Sequence, residues 1–165
     1  MIKFFVMDVD GTLTDGMIYV GNDGEVFKPF NCKDGYGIHH ILPDNNIVPV
    51  IITGRNSHIM ENRAKELSIK ELHQGVSDKV GVLMEVLERF SKAEGKNYTL
   101  ADVAYIGDDL NDFKVMKAIR ANGGVTGCPA DADGEIKGLA QFVSTKNGGR
   151  GAVREFMEYI IKGNK

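Results

Sequence analysis

Two cysteines, Cys32 and Cys128, are all the thiol chemistry this 165-residue chain has. They lie far apart and form no metal-type spacing, so a disulfide framework and a cysteine-bound zinc cluster are both excluded, and reduced thiols in a cytoplasmic protein are expected. Positive charge is also short. With 20 Lys and Arg against 23 Asp and Glu the net charge is -3, and no basic stripe exists for nucleic acid or a membrane surface to use. No apolar run reaches transmembrane length, and no basic n-region with an apolar h-region opens the sequence. Repeats, low-complexity tracts and interior linkers are missing too. The expectation is one domain spanning residues 1–165, with neither nucleic acid nor membrane among its partners. Glycine, by contrast, is plentiful at 20 residues, clustered where strands would end, which points to many tight strand-to-loop exits.

The stretch that organises the rest is Met7-Asp8-Val9-Asp10-Gly11-Thr12-Leu13-Thr14-Asp15-Gly16. It follows the apolar run Ile2 to Val6, broken only by Lys3, so a buried strand delivers Asp8 and Asp10 to its C-terminal end. Residues two apart in a strand point to the same side, and the pair can share one metal or phosphoryl group. Taken alone, an Asp-x-Asp is more often a polar turn after a strand. Met17 to Val20 and Glu25 to Phe30 flank Gly21-Asn22-Asp23-Gly24, a hairpin signal, giving a flap over about 17–30. Asn31 to Gly37 reads as a loop before a helix from about Tyr36 to Leu42. Ile47 to Ile52 is a strand buried on both faces, ending in Thr53-Gly54-Arg55. Ser57 caps a helix to about Leu67. A short strand over Ile69 to His73 follows, and Ser77 is placed to cap a long amphipathic helix from Lys79 to about Ala93. Val103 to Ile106 is a further buried strand, ending in Gly107-Asp108-Asp109-Leu110-Asn111-Asp112. A short helix to about Ile119, a Gly-rich strand through Gly127, a small helix over Asp131 to Leu139, a last strand at Gln141 to Val143 and a helix from about Ala152 to Ile161 complete the chain. Alternating strands and helices imply a doubly wound, Rossmann-like α/β sandwich on a parallel sheet, and ligands in such sheets bind outside the carboxyl ends of the strands. Asp8 with Asp10, Thr53, Lys79 and the Asp108 to Asp112 cluster all fall at that edge.

Those groups suit phosphoryl transfer. Asp8 can attack phosphorus as a nucleophile, splitting one hard displacement into two. Asp10 can protonate the departing alkoxide and later take a proton from water. Mg²⁺ supplies the charge cancellation, with Asp8, the Asp10 backbone carbonyl and Asp108 as expected ligands. Asp109 and Asp112 share a face with Asp108 or with each other. A supporting or water-mediated role around the metal suits both, and Asp112 is also placed to ligate directly. N-terminal helix capping accounts for acids there as well. The Thr53 hydroxyl and Gly54 N–H can donate to phosphoryl oxygens, and Lys79 can neutralise them. His39, His40, His58 and His73 show no ligand pattern.

The four segments, in this order, resemble the motifs of the haloacid dehalogenase-like phosphatase superfamily: Asp8 to Thr12, Thr53, Lys79 and Gly107 to Asp112. No cap domain fits between Thr53 and Lys79, and the only insert after the first motif is the hairpin. This cap-less form, with Lys33-Asp34-Gly35-Tyr36-Gly37, Thr53-Gly54-Arg55, Gln74-Gly75 and Gly148-Gly149-Arg150-Gly151-Ala152-Val153-Arg154-Glu155, is similar to the octulosonate 8-phosphate phosphatases, whose relatives act on nonulosonate 9-phosphates or are fused to acylneuraminate cytidylyltransferases. The resemblance implies a Mg²⁺-dependent phosphatase of a sugar-acid phosphate in lipopolysaccharide biosynthesis. It also implies a homotetramer whose neighbours close each site with a hairpin and with the stretch around Arg150. Arginine suits planar oxyanions, so Arg55, Arg63 and Lys33 are the candidates for the substrate carboxylate and hydroxyls, with Asn31, Asp34 and Gly35 near the phosphoryl end. Arg63, two turns into a helix, is as well placed to be a solvated residue, and Arg150 to precede and cap the last helix. A receiver module, which also uses Asp, Mg²⁺ and Lys, fits less well, because its phospho-acceptor would stand where Thr53 is. A mainly assembly-forming domain is disfavoured by the full motif set. The arginine after Thr53-Gly54 favours the eight-carbon over the nine-carbon acid.

Overall fold

Phe4–Met7 (β1) is fully buried along its length and sits at the middle of a six-stranded sheet. The structure, a computed structural model, describes residues 1–164. In chain order the other strands of this sheet are β4 (Val48–Ile52), β5 (Glu71–His73), β6 (Val103–Ile106), β7 (Val125–Cys128) and β8 (Phe142–Val143), arranged β5-β4-β1-β6-β7-β8 with every pairing parallel. The chain winds outward from β1 in one direction to β5, then returns and winds the other way from β6. The order therefore reverses between β1 and β6, where α/β sheets open a crevice.

Alternation along the central strands divides the core. Phe5 and Met7, Ile51, Ala104 and Ile106 face one side, packed under Ile38, Leu42, Met60, Val153, Phe156 and Met157. Phe4 and Val6, Val50 and Ile52, Val103 and Tyr105 face the other, under Leu83, Val86, Leu87, Val115, Met116 and Ile136. The first layer is built from α1 (Cys32–Tyr36), a π-helical continuation (Gly37–Ile41), α2 (Leu42–Asp44), α3 (His58–Glu66) and α7 (Ala152–Gly163). The second holds α4 (Lys79–Glu94), α5 (Phe113–Ala121) and α6 (Gly134–Leu139). Period-2 strands with helices over both faces are the doubly wound sandwich expected. The hairpin β2 (Tyr19–Gly21) and β3 (Gly24–Phe27) forms a separate two-stranded sheet, shorter than its β-like sequence, with Tyr19 stacked on Phe27. No cap domain is inserted among the described residues.

Two expected boundaries are corrected. The helix expected from Tyr36 begins at Cys32, because the Asn31 side chain accepts the Lys33 N–H and caps it; Gly35 and Gly37 made the segment read as a loop, yet both lie in helical backbone. The cap of α4 is Asp78 rather than Ser77, its carboxylate accepting the Gly81 N–H. Both are cases of a short polar side chain trapping an orphan amide.

Candidate active site

Register brings the chemistry together. Met7 pairs with Ile51 on one side and Ile106 on the other, so Asp8, Thr53 and Asp108 leave the sheet at nearly the same level. Asp8 is buried; its N–H continues the ladder to the Ile106 carbonyl, its Oδ1 accepts from Val9 N–H at 2.7 Å, and its Oδ2 lies 3.1 Å from Lys79 Nζ. Gly11 turns the chain with φ +92°, and a side chain there would collide with the Asp108 carboxylate; only glycine meets both demands. Asp108 thus lies against the first loop, where Thr12 Oγ1 donates to its Oδ1 at 3.0 Å. The turn Gly148-Gly149 braces the same loop, with the Gly149 N–H donating to Thr12 O.

Lys79, the first residue of α4, is buried with Nζ 2.7 Å from Asp112 Oδ1. Burial opposes its charge, but Asp8 and Asp112 outweigh burial and hold its pKa above the ordinary lysine value. Asp112 is fully buried. Its Oδ1 also accepts from Tyr105 Oη at 2.6 Å, and its Oδ2 accepts from Asp108 N–H at 2.9 Å. Both its oxygens are thereby committed to holding Lys79 and the loop. Asp109 is exposed; its carboxylate accepts the Leu110 N–H and completes a reciprocal cap with Asp112. Capping is the role its contacts describe.

Oxygens of Asp8, Asp108 and Asp112 all lie within 4.8 Å of one another. Burial, then Asp112, pushes the Asp8 carboxyl up to about 6; burial, then Asp8 and Asp112, pushes Asp108 to about 8. One lysine does not balance two buried carboxylates and a half-buried third. The donor set is all hard oxygen, which fits Mg²⁺ or a similar divalent cation, held by Asp8 and Asp108. Beside them is a cavity of about 240 Å³ lined by Asp8, Asp10, Gly16, Thr53, Gly54, Arg55, Asp108, Asp109 and Asn111.

The other sequence candidates are placed elsewhere. Asn31, Asp34, Gly35 and Arg63 surround a nearly filled space of about 10 Å³ with Leu13, Phe30 and Ile38. Asp34 is buried because it accepts the Arg154 N–H and so joins α1 to α7. Gly35 leaves room for the Arg63 guanidinium, which stacks over Phe30 and pairs with Glu66 at 2.8 Å. Arg63 also walls a hollow of about 460 Å³ with Lys28 and Phe30. Lys33 is exposed on α1, and Arg150 is exposed in the glycine turn, where Gly151 rather than Arg150 precedes α7 as its cap.

Several contacting residues escaped the sequence reading. Lys28 Nζ lies 2.5 Å from Asp10 Oδ1 and 2.9 Å from Glu25 Oε1, and Glu25 accepts from Ser57 Oγ. Nothing in the local pattern marks Lys28 or Glu25. Tyr105 carried a signal, since a phenol inside a buried strand requires a hydrogen-bond partner.

No family model matches the chain. The chain is 41% identical over 160 residues to the 3-deoxy-D-manno-octulosonate 8-phosphate phosphatase KdsC of Salmonella typhi, covering 97% of this chain and 79% of that protein. The crystal structure of 3-deoxy-D-manno-octulosonate 8-phosphate phosphatase from Yersinia pestis superposes with a TM-score of 0.87 at 42% identity, covering 98% and 81% of the two chains. The enzyme of that name from Moraxella catarrhalis, crystallised with a magnesium ion, a phosphate ion and a KDO molecule, gives 0.85 at 38% identity, covering 98% and 86%.

Proposed function

Because the chain belongs to the 3-deoxy-D-manno-octulosonate 8-phosphate phosphatase family of haloacid dehalogenase-like hydrolases, we propose that it is a Mg²⁺-dependent phosphomonoesterase acting on 3-deoxy-D-manno-octulosonate 8-phosphate, in lipopolysaccharide sugar-acid biosynthesis. The observation that carries the reading is the convergence of Asp8, Lys79, Asp108 and Asp112 at the sheet's switch point.

Bound by Asp8, Asp108 and the Asp10 carbonyl, Mg²⁺ supplies charge neutralisation for a phosphoryl group. A carboxylate oxygen of Asp8 attacks phosphorus while the ester O–P bond breaks, leaving an aspartyl-phosphate. Asp10 gives its proton to the departing alkoxide. It then takes one from the water whose attack on phosphorus frees inorganic phosphate and restores Asp8. Lys79, the Thr53 hydroxyl and the Gly54 N–H hold the phosphoryl oxygens. Asp112 keeps Lys79 aimed, with Asp109 supporting the turn. Arg55, which lines the cavity, is the residue we place on the sugar-acid carboxylate. Arg63, Asn31, Asp34 and Gly35 lie away from that cavity, around the nearly filled space that Phe30 also lines, and Lys33 is exposed on α1, so none of them is given a substrate contact within this chain.

Residues 1–165 form one phosphatase domain in this reading, and a homotetramer closes its site, each neighbour contributing its hairpin and the segment near Arg150. Exposed Val20, Val26 and Phe27 on the hairpin, with Met17 just before it, support that assembly. Unpaired Cys32 and Cys128 support a cytoplasmic setting, and no helix among the described residues is long and apolar enough to cross a membrane.

The decisive measurement is kcat/KM for phosphate release from the eight-carbon 8-phosphate and from nonulosonate 9-phosphates. One hydroxymethylene is worth only ~1–3 kcal/mol in a pocket, so a preference of roughly tenfold or more for the eight-carbon acid is expected. Preference for the nine-carbon series would replace the substrate and leave the mechanism standing; hydrolysis of neither would overturn the reading.

A further inference from the structure

A lysine near the end of a hairpin is ordinarily a solvated residue that discourages edge pairing. Lys28 is different. Its side chain is 4% exposed, and its ammonium sits between Asp10 of the loop after β1, at 2.5 Å, and Glu25 of its own hairpin, at 2.9 Å. Glu25 in turn accepts from Ser57 Oγ and faces Arg55 at 3.8 Å, so the hairpin also reaches the loop after β4. A buried ammonium is costly unless paired, and once paired it has little freedom to turn away. The Lys28 contact fixes one oxygen of Asp10, Oδ1, and leaves Oδ2 outside it.

We propose that Lys28 is a positioning residue for Asp10, coupling the seating of the hairpin to the aim of the acid–base carboxylate. This rests on the reading of Asp10 as general acid. As the ester O–P bond breaks and the Asp8 O–P bond forms, the proton on Asp10 Oδ2 passes to the leaving alkoxide, while Lys28 holds Oδ1. When the hairpin lifts, Asp10 loses that restraint and protonates a poor leaving group less well.

General-acid help matters for an alkoxide and little for a nitrophenolate, which gives the test its contrast. Lys28→Met and Lys28→Arg are compared with the wild type on octulosonate 8-phosphate and on p-nitrophenyl phosphate. The ratio of kcat on the sugar phosphate to kcat on the aryl phosphate falls roughly tenfold or more in Lys28→Met, and Lys28→Arg recovers part of it. An equal loss on both substrates, or a raised KM with kcat unchanged, overturns the proposal. The first outcome marks a structural lysine, the second a substrate ligand. A reading without substrate accompanies it. Amide hydrogen exchange over residues 19–27 quickens roughly fivefold or more in Lys28→Met and in Asp10→Asn alike, with no further gain in the double variant. Unaltered exchange in Asp10→Asn would show that the two are not coupled. Wild-type turnover of the sugar phosphate tests the function reading by itself, and the exchange result stands whichever way that turnover falls.

Discussion

Tyr105 shows how one hydroxyl supports a site it does not enter. Burial, then the charges of Asp112 and Asp8, holds its pKa well above the ordinary phenol value, so it remains a donor to Asp112. Tyr105→Phe removes that donor without changing the ring's packing. Asp112 Oδ1 then keeps Lys79 but loses half of its support. The expected cost is about 1–2 kcal/mol in urea unfolding with kcat down roughly three- to tenfold; unchanged stability and turnover would deny the phenol any part in aiming Lys79. Asp108 is the complementary case, a carboxylate that strains the metal-free fold. Magnesium at about a hundred times its dissociation constant adds about 2.7 kcal/mol to the wild type, raising Tm by roughly 5–10 °C. Asp108→Asn is expected to abolish most of that rise while leaving the metal-free Tm equal or higher. A wild-type Tm indifferent to Mg²⁺ would remove the cation from this site.

Between elements, Asp34 is a buried polar link that ties α1 to the start of α7 through the Arg154 amide at 2.8 Å. Its second oxygen is buried without a partner. Burial therefore wins over the favourable amides of Arg154 and Gly151, and the carboxyl is pushed up to about 6 from 3.8. In the unfolded chain Asp34 loses its proton near pH 4; in the folded chain it keeps it until near pH 6. The unfolded state thus binds fewer protons across that window, and stability falls as pH rises through it, by up to about 3 kcal/mol. Asp8, also raised, contributes in the same direction. Asp34→Asn retains an acceptor for the amides and removes the charge, so its metal-free unfolding free energy should decline less between pH 4 and 7 than that of the wild type. Parallel pH profiles would show that another group carries the slope. This link was hidden in the sequence because the Asn31-capped helix was hidden: glycines at 35 and 37 carry low helix propensity, and tertiary packing against α7 and Arg63 overrides it. Ser57, by contrast, was legible as a cap, and it does accept the Met60 N–H.

Across the whole molecule, the parts that the sequence made readable are those tied to strand ends. Buried parallel strands are continuous apolar runs, and the polar residues that follow them must surface at one edge, which is why Asp8, Thr53, Lys79 and Asp108 could be grouped before any contact was known. Lys28 and Glu25 could not, because what places them is the fold-back of the hairpin onto two loops, a long-range event with no local periodicity. The hairpin's outer surface is the remaining large-scale feature. Val20, Val26 and Phe27 on the hairpin and Met17 just before it are 66%, 58%, 49% and 64% exposed, and exposed apolar residues gathered on one short segment mark a contact surface. If four chains bury these hairpins together, a charge placed among them is desolvated at the contact and drives it apart. Val26 is exposed and makes no part of the Lys28–Asp10 pair, and Val26→Glu leaves the hairpin turn intact, so the isolated fold should survive. Light scattering should give a four-chain mass for the wild type and a smaller one for Val26→Glu, with circular dichroism unchanged. Turnover should drop about tenfold or more, because a site left open to water on one side holds its substrate less well oriented. A wild type that is monomeric at full activity would mean that the hairpin and the loops it bridges close the site within one chain.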